Sequence, residues 1–354
     1  MKYFLGVDQG GTKTIALVVD PGGNILGTGH EAGLISVYFD DKEGVFANRI
    51  RGAAEKACVA ARISLSQVTA VCGCLNGADW DFEYPVLKAE LQKALGVEDA
   101  VVLNDCVGGM RGGSASAACG VVCAGSGMNA AVRRADGKEI IYGYYVNGEH
   151  QGGGALGAAA LRKVMEARLG ICGETMLTGL ILDFTGRRDA EELMIDLTVK
   201  GYELRHKDLA PALLKAYAAH DAEAADVVER FARGTSKYIT AGMDRLGMSG
   251  EEMDLVLSGS VFKDIGTLVA DRVFDYVSET EPRARKVHGR YEPVCGAALT
   301  LLDRFYRGPL PQNVVDAFDK TAESNGMLRN LDPTGGGARG KTGGAARGVP
   351  WLSD

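Results

Sequence analysis

The stretch Tyr3-Phe-Leu-Gly-Val-Asp8-Gln-Gly10-Gly11-Thr12-Lys13-Thr14-Ile-Ala-Leu-Val-Val-Asp20 places two apolar runs, residues 3–7 and 15–19, on either side of a short polar centre. That pattern predicts a β-hairpin whose turn contains Gly10 and Gly11. Lacking a Cβ, the two glycines let an anion approach their N–H groups, and the hydroxyls of Thr12 and Thr14 and the cation of Lys13 belong to the same turn. A phosphate suits such a turn. Asp8, at the end of the first strand, would face the phosphates across a divalent metal, because like charges at close range need a cation between them.

Outward from the hairpin, Gly22-Gly23 makes a turn and residues 24–30 read as a third antiparallel strand. The loop at 31–40 is too apolar for a plain linker and is expected to line a pocket. Residues 45–63 carry Phe46, Ile50, Ala54, Ala57, Cys58 and Ala61 at helical spacing. A buried strand at 68–75, a helix from Pro85 to Leu95 and a strand at 100–103 ending in Asn104-Asp105 follow. Three antiparallel strands and then helix, strand, helix, strand predict a mixed sheet with helices on its faces.

A second cycle repeats the architecture without repeating the residues. Residues 120–124 are a strand, Gly125-Ser126-Gly127 a tight turn, 129–134 the returning strand and 139–146 a third strand. The glycine-rich loop 147–154 leads to a helix at 155–168, and a long helical region includes an amphipathic helix at 221–243. The apolar strand 255–257 runs into Ser258-Gly259-Ser260, a helix is expected at 261–277, and a last core helix reaches about Tyr306.

The 354 residues, 46% hydrophobic and 24% charged, describe an ordinary globular protein of two or three domains. A net charge of -7 without a basic stripe argues against a nucleic-acid partner. With no apolar run of about 18 residues and no charged region before a small-residue cleavage site, the expectation is a cytoplasmic protein with neither membrane span nor signal peptide. The eight cysteines sit mostly in apolar segments and form no C-x-x-C pair, so free buried thiols are expected. Residues 335–342 spell G-x-x-x-x-G-K-T, but that string binds phosphate only between a buried strand and a helix, and here it lies in a Gly-rich tail.

Asp8 to Thr14, Asn104-Asp105, Gly125-Ser126-Gly127, Leu255 to Lys263 and Pro293 to Ala298 occur in that order and resemble the five nucleotide-site motifs of the sugar kinase, heat-shock chaperone and actin superfamily. Within it the chain is most similar to the BadF/BadG/BcrA/BcrD-type ATPase and N-acetylglucosamine kinase family, over about residues 3–306. The resemblance implies an α/β fold of two ribonuclease-H-like lobes around a central nucleotide cleft. Residues 1–113 with about 298–330 would form the first lobe, 114–297 the second with a helical insertion, and 332–354 a flexible tail.

It also implies ATP and Mg²⁺. Gly10, Gly11, Thr12 and Lys13 fall on the first phosphate loop, and Gly125, Ser126, Gly127 and Asn129 on the second, where the family more often shows Gly-Thr-Gly-Ser. Gly259 and Ser260 match the adenosine motif, Asp8 acts on the metal, and Asp105 falls on the catalytic aspartate. A strand-end carboxylate can take the proton from a sugar hydroxyl during phosphoryl transfer. Asn104, Glu149, His150 and Ser36 are the expected substrate contacts. Two of these depart from the family: Glu149-His150 stands where it shows an acidic Gly-Asp-Glu-Gly-Ser loop, and Leu34-Ile35-Ser36 where it carries an Asn.

The reading this favours is an ATP-dependent kinase for a small sugar, an amino sugar such as N-acetylglucosamine or glucosamine. The others are an ATPase that couples hydrolysis to conformational change, as in reductase activators that hold an iron–sulfur cluster on cysteines, and a non-catalytic sugar-sensing regulator. Cys119, Cys123 and Cys172 are the candidates for such a cluster, although all three read as core. A homodimer is the expected assembly.

Overall fold

The computed structural model describes residues 1–33 and 44–328. The first sheet is built from β1 (Phe4–Gln9), β2 (Lys13–Val19), β3 (Ile25–Ala32), β4 (Ala70–Leu75) and β5 (Ala100–Asn104), in the order β3-β2-β1-β4-β5. β1 pairs antiparallel with β2 and parallel with β4, so the Gly10–Gly11 hairpin emerges at the same edge as the ends of β4 and β5. Helices α1 (Val45–Ala60) and α2 (Glu83–Leu95) connect these strands, and α3 (Asp105–Gly113) leaves β5 without a loop.

The second sheet repeats the topology. β6 (Cys119–Ala124), β7 (Met128–Arg133), β8 (Glu139–Ile141), β9 (Met253–Ser258) and β10 (Ala284–His288) run in the order β10-β9-β6-β7-β8. Between β8 and β9 lie α4 (Gly152–Arg168), α5 (Met176–Thr185), α6 (Ala190–Thr198), α7 (Ala210–Ala218) and α8 (Ala222–Arg245). α9 (Thr267–Thr280) precedes β10, and α10 (Pro293–Tyr306) and α11 (Gln312–Ser324) follow it. This is the mixed α/β fold of two lobes that the sequence predicts. Among the described residues no helix is long and apolar enough to cross a membrane.

Side-chain alternation sets the layers. Leu5, Val7, Val71 and Leu75 face α1 and α2, while Phe4, Cys72 and Cys74 face Val294, Cys295, Ala298 and Leu302 of α10. In the second lobe Val122, Ala130, Leu255 and Leu257 pack among the insertion helices. On the opposite face Val121, Ala131 and Val256 meet Cys106, Val107 and Met110 of α3. α3 thus covers the second sheet, α10 covers the first, and the two helices cross between the lobes. Val294, at the start of α10, already packs in the first lobe's core beside Phe4 and Cys72.

The crossing needs small residues. A Cβ on Gly296 would overlap the carbonyl oxygen of Gly108, so helix backbones meet there. Arg111 of α3 closes the contact by gripping Asp303 of α10 with two donors, at 2.5 and 2.9 Å, both side chains being largely buried.

Several element boundaries differ from the sequence reading. The strand expected over 139–146 stops at Ile141, because Gly143 takes φ +47° and starts a 3₁₀ turn, Gly143–Tyr145. The helix expected from 261 begins at Thr267, after two short 3₁₀ turns. α3 and β10 were not anticipated. α3 carries four glycines, poor helix formers, and is held by its packing between the lobes. β10, Ala-Arg-Lys-Val-His, is an edge strand whose charges hide its alternation. Ser36, the loop at 34–40 and the G-x-x-x-x-G-K-T string lie outside the described residues.

Candidate active site

A cavity of about 720 Å³ opens between the lobes, lined by Gly11 and Thr12 of the first turn, Asn76 and Asp79 behind β4, Asp105 at the start of α3, Gly125 to Asn129 of the second turn, and Gly259. That volume lies within the range of small-ligand and cofactor sites, roughly 300–1,000 Å³. Both glycine turns therefore reach one space, with Asp105 between them.

β5 aims Asp105 there. Asn104 is the N-cap of α3, its Oδ1 accepting the Cys106 N–H at 3.0 Å, so Asp105 becomes the first helical residue at the strand end. The side chain is half-buried and keeps one side open to the cavity. Burial is the larger cause that raises its carboxyl pKa, and the neighbouring Asp79 charge adds to it, against two backbone N–H hydrogen bonds, leaving it at about 6. A strand-end carboxylate poised near neutrality can act as a general base.

Asn104 has no polar capacity to spare. Its Nδ2 donates to Ala78 O at 3.0 Å and to Asp79 Oδ1 at 2.8 Å, and its Oδ1 also accepts from Asn129 Nδ2 at 3.2 Å. Asn129 Oδ1 in turn accepts the Gly143 N–H at 2.8 Å. An Asp79–Asn104–Asn129–Gly143 chain thus runs from one lobe to the other along the cavity wall. Asp79, whose pKa burial also raises, is a second cavity carboxylate that the sequence reading passed over. Its signal was its position, in the loop at the carboxyl end of a buried strand, where ligands of α/β sheets gather.

The Asp79 loop is shaped by Glu83. This buried carboxylate, in the first turn of α2, accepts the backbone N–H groups of Asp79 and Trp80, each at 2.7 Å. Glu83→Ala strands both donors, and the expected loss is about 2 kcal/mol of stability, from charged hydrogen bonds of about 1.5–3 kcal/mol each and relaxation of the loop. Denaturant unfolding measures it. A loss below about 0.5 kcal/mol would show that the loop holds its shape without the carboxylate.

The first turn closes with the Gly10 N–H donating to Lys13 O at 3.0 Å. Gly11 and Thr12 line the cavity, whereas the Lys13 ammonium pairs with Glu292 at 2.8 Å. Asp8 is buried on β1, in register with Cys74 of β4. The Cys74 thiol is pushed up by a hydrogen bond with Cys72 and by burial, and the charges of Asp8 and Asp105 add to it.

The second turn is docked on a helix. The carbonyls of Gly125 and Ser126 accept the N–H groups of Gly153 and Gly154 at 2.7 and 3.0 Å, at the start of α4. Lys207, from the insertion, donates to Ser126 Oγ at 3.2 Å and brings a cation to the cavity wall. No spacing in the sequence announces it, since 81 residues separate it from Ser126. Gly259 sits at φ +104°, where a Cβ would overlap the Ala124 carbonyl. Ser260 is exposed and does not line the cavity.

The expected contacts of the 147–154 loop fall elsewhere. Glu149 is exposed, its N–H donating to Asn147 Oδ1 at 2.9 Å. The His150 ring packs on Phe231 and Tyr238, fits against Gly234 of α8 where any Cβ would overlap it, and has Nδ1 3.4 Å from the Tyr238 hydroxyl. Gln151 is the loop residue that lines the cavity, its Oε1 accepting the Met128 N–H at 3.2 Å.

None of the curated proteins matches the sequence. Among solved structures, a protein from Chromobacterium violaceum provisionally named an N-acetylglucosamine kinase superposes with a TM-score of 0.62 at 23% identity, over 85% of this chain and 99% of that one. A ROK family glucokinase from Streptomyces griseus, in complex with glucose and AMPPNP, gives 0.56 at 18% identity, over 84% and 98%. A second provisionally named N-acetylglucosamine kinase, from Porphyromonas gingivalis, gives 0.58 at 14% identity, over 86% and 99%. At these identities the likeness shows a shared fold, that of the actin-like sugar kinases. The sequence model of the BadF/BadG/BcrA/BcrD ATPase family matches residues 5–300, and with most of its length inside that match the chain belongs to the family.

Proposed function

We propose that the chain is an ATP-dependent kinase that transfers the γ-phosphoryl group to a hydroxyl of a small sugar, an amino sugar such as N-acetylglucosamine or glucosamine. The observation that carries this reading is the position of Asp105, a carboxylate of raised pKa between two glycine turns in a cleft of nucleotide size. A protein that only senses a sugar needs no proton acceptor beside the phosphate turns. The C. violaceum and P. gingivalis folds and the glucokinase's printed ligands, glucose and AMPPNP, support the same choice.

The chain's own residues fit ATP and Mg²⁺. Gly11, Thr12, Gly125 and Gly127 bring backbone to the cavity, and Gly259 lets the end of β9 pack against Ala124 beside it. Asp8, near the end of β1, is a hard oxygen donor, and Mg²⁺ is usually held by one or two carboxylates together with substrate phosphates. When bound, ATP supplies the phosphoryl group and Mg²⁺ screens its charge. Asp105 then orients the acceptor hydroxyl and takes its proton, Asp79 receives a neighbouring hydroxyl from a position fixed by the Asn104–Asn129 pair, and Lys207 adds a positive charge beside the second turn. Closing the lobes excludes water from the transfer.

A panel of sugars and amino sugars screened for stimulated ADP release tests the reading. It predicts ADP release that depends on one class of acceptor. Steady ADP release without acceptor would instead favour a coupled ATPase, and sugar binding without turnover a regulator.

A further inference from the structure

An ion cluster beside the first glycine turn takes no part in the chemistry above. Lys13 Nζ lies 2.8 Å from one Glu292 oxygen and Lys263 Nζ 3.1 Å from the other. The three residues come from different parts of the fold: Lys13 opens β2 in the first lobe, Lys263 follows β9 in the second, and Glu292 stands where the chain crosses back. Lys13 and Glu292 adjoin the cavity, since their chain neighbours Thr12 and Pro293 line it, and Lys263 is held beside them by Glu292. The Glu292 side chain is only 12% exposed, whereas Lys13 and Lys263 keep 50% and 35%. The anion is the sheltered, fixed member, and the cations are on flexible stems. Two lysines around one carboxylate leave these three groups with a surplus positive charge at the cavity edge.

We propose that Glu292 is a built-in counter-ion that holds Lys13 and Lys263 until the phosphate chain of a nucleotide draws them away. Triphosphate binding then opens a clasp that ties the two lobes together at the first turn. Carboxylate and phosphate oxygens offer the same cations the same kind of charged hydrogen bond, and a triphosphate offers more of them. The inference rests on the reading of the cleft as an ATP site and adds to it the residue that competes with the nucleotide.

The test is calorimetric titration of Mg·ATP and of AMP into the full chain and into two variants. Glu292→Gln is expected to tighten ATP about three- to ten-fold, the scale of releasing partly exposed ion pairs, with AMP moving less than about two-fold. Lys263→Ala is expected to weaken ATP, because Glu292 then has one cation fewer to share and holds Lys13 more firmly. Opposite shifts in the two variants cannot come from damage to the fold. Unchanged or weaker ATP binding in Glu292→Gln, or an equal shift for AMP, overturns the clasp while wild-type ATP binding stands. Wild-type protein that binds neither nucleotide overturns the ATP reading and the clasp with it.

Discussion

Asp105→Asn is expected to lower acceptor phosphorylation by about three orders of magnitude while leaving Mg·ATP affinity within about two-fold, because general-base catalysis contributes roughly 10²–10⁴ and the amide keeps the shape of the acid. Single-turnover phosphorylation alongside nucleotide titration measures both. Wild-type kcat/KM should rise with pH through about 6, as the carboxyl loses its proton, and the variant should lose that limb. Stability should move the other way. The folded pKa, about 6, lies above the ordinary value of 3.8, so this group favours the fold most below pH 4, and its contribution is lost as pH rises through 6. Asp105→Asn should therefore raise Tm at pH 7.5 while removing most of the activity. A variant with less than a ten-fold loss of rate, or a lower Tm, would remove Asp105 from its role.

Gly259→Ala should have the largest effect on the fold at the site. At φ +104° and ψ 168° the backbone occupies a region open essentially to glycine, and the added methyl overlaps the Ala124 carbonyl at the end of β6. Strain of about 1–3 kcal/mol and overpacking of about 1–3 kcal/mol act together, so the expected loss is about 4 kcal/mol. To relieve it the β9 end must move off β6, widening the cavity wall at Gly125, and ATP affinity should fall at least about 100-fold. Denaturant unfolding and nucleotide titration check the two parts. A variant as stable as wild type would mean that the Gly259 turn is not held against β6.

What could be read from the chain was what local chemistry writes into it. The Gly10–Gly11 and Gly125–Gly127 hairpins were legible because alternation and turn glycines act over a few residues, and Asp105 because the ordered motifs resemble a family that has its catalytic aspartate there. α3 was hidden, since Gly108 and Gly112 look like breakers until Gly296 of α10, nearly two hundred residues later, packs against them. Separation along the chain likewise concealed the Arg111–Asp303 pair, the Lys207–Ser126 contact and the partner of Lys13. His150 read as a loop residue near a ligand, and only the position of α8 shows its ring filling a gap beside Gly234.

A crystal structure of the chain with Mg²⁺ and a non-hydrolysable ATP analogue tests the central claim most directly. The account predicts a phosphate chain running between Gly10–Thr12 and Gly125–Gly127, its terminal phosphate within a few ångströms of the Asp105 carboxylate, and the adenine near Gly259. A nucleotide bound outside this cleft, or one whose phosphates point away from Asp105, would contradict it.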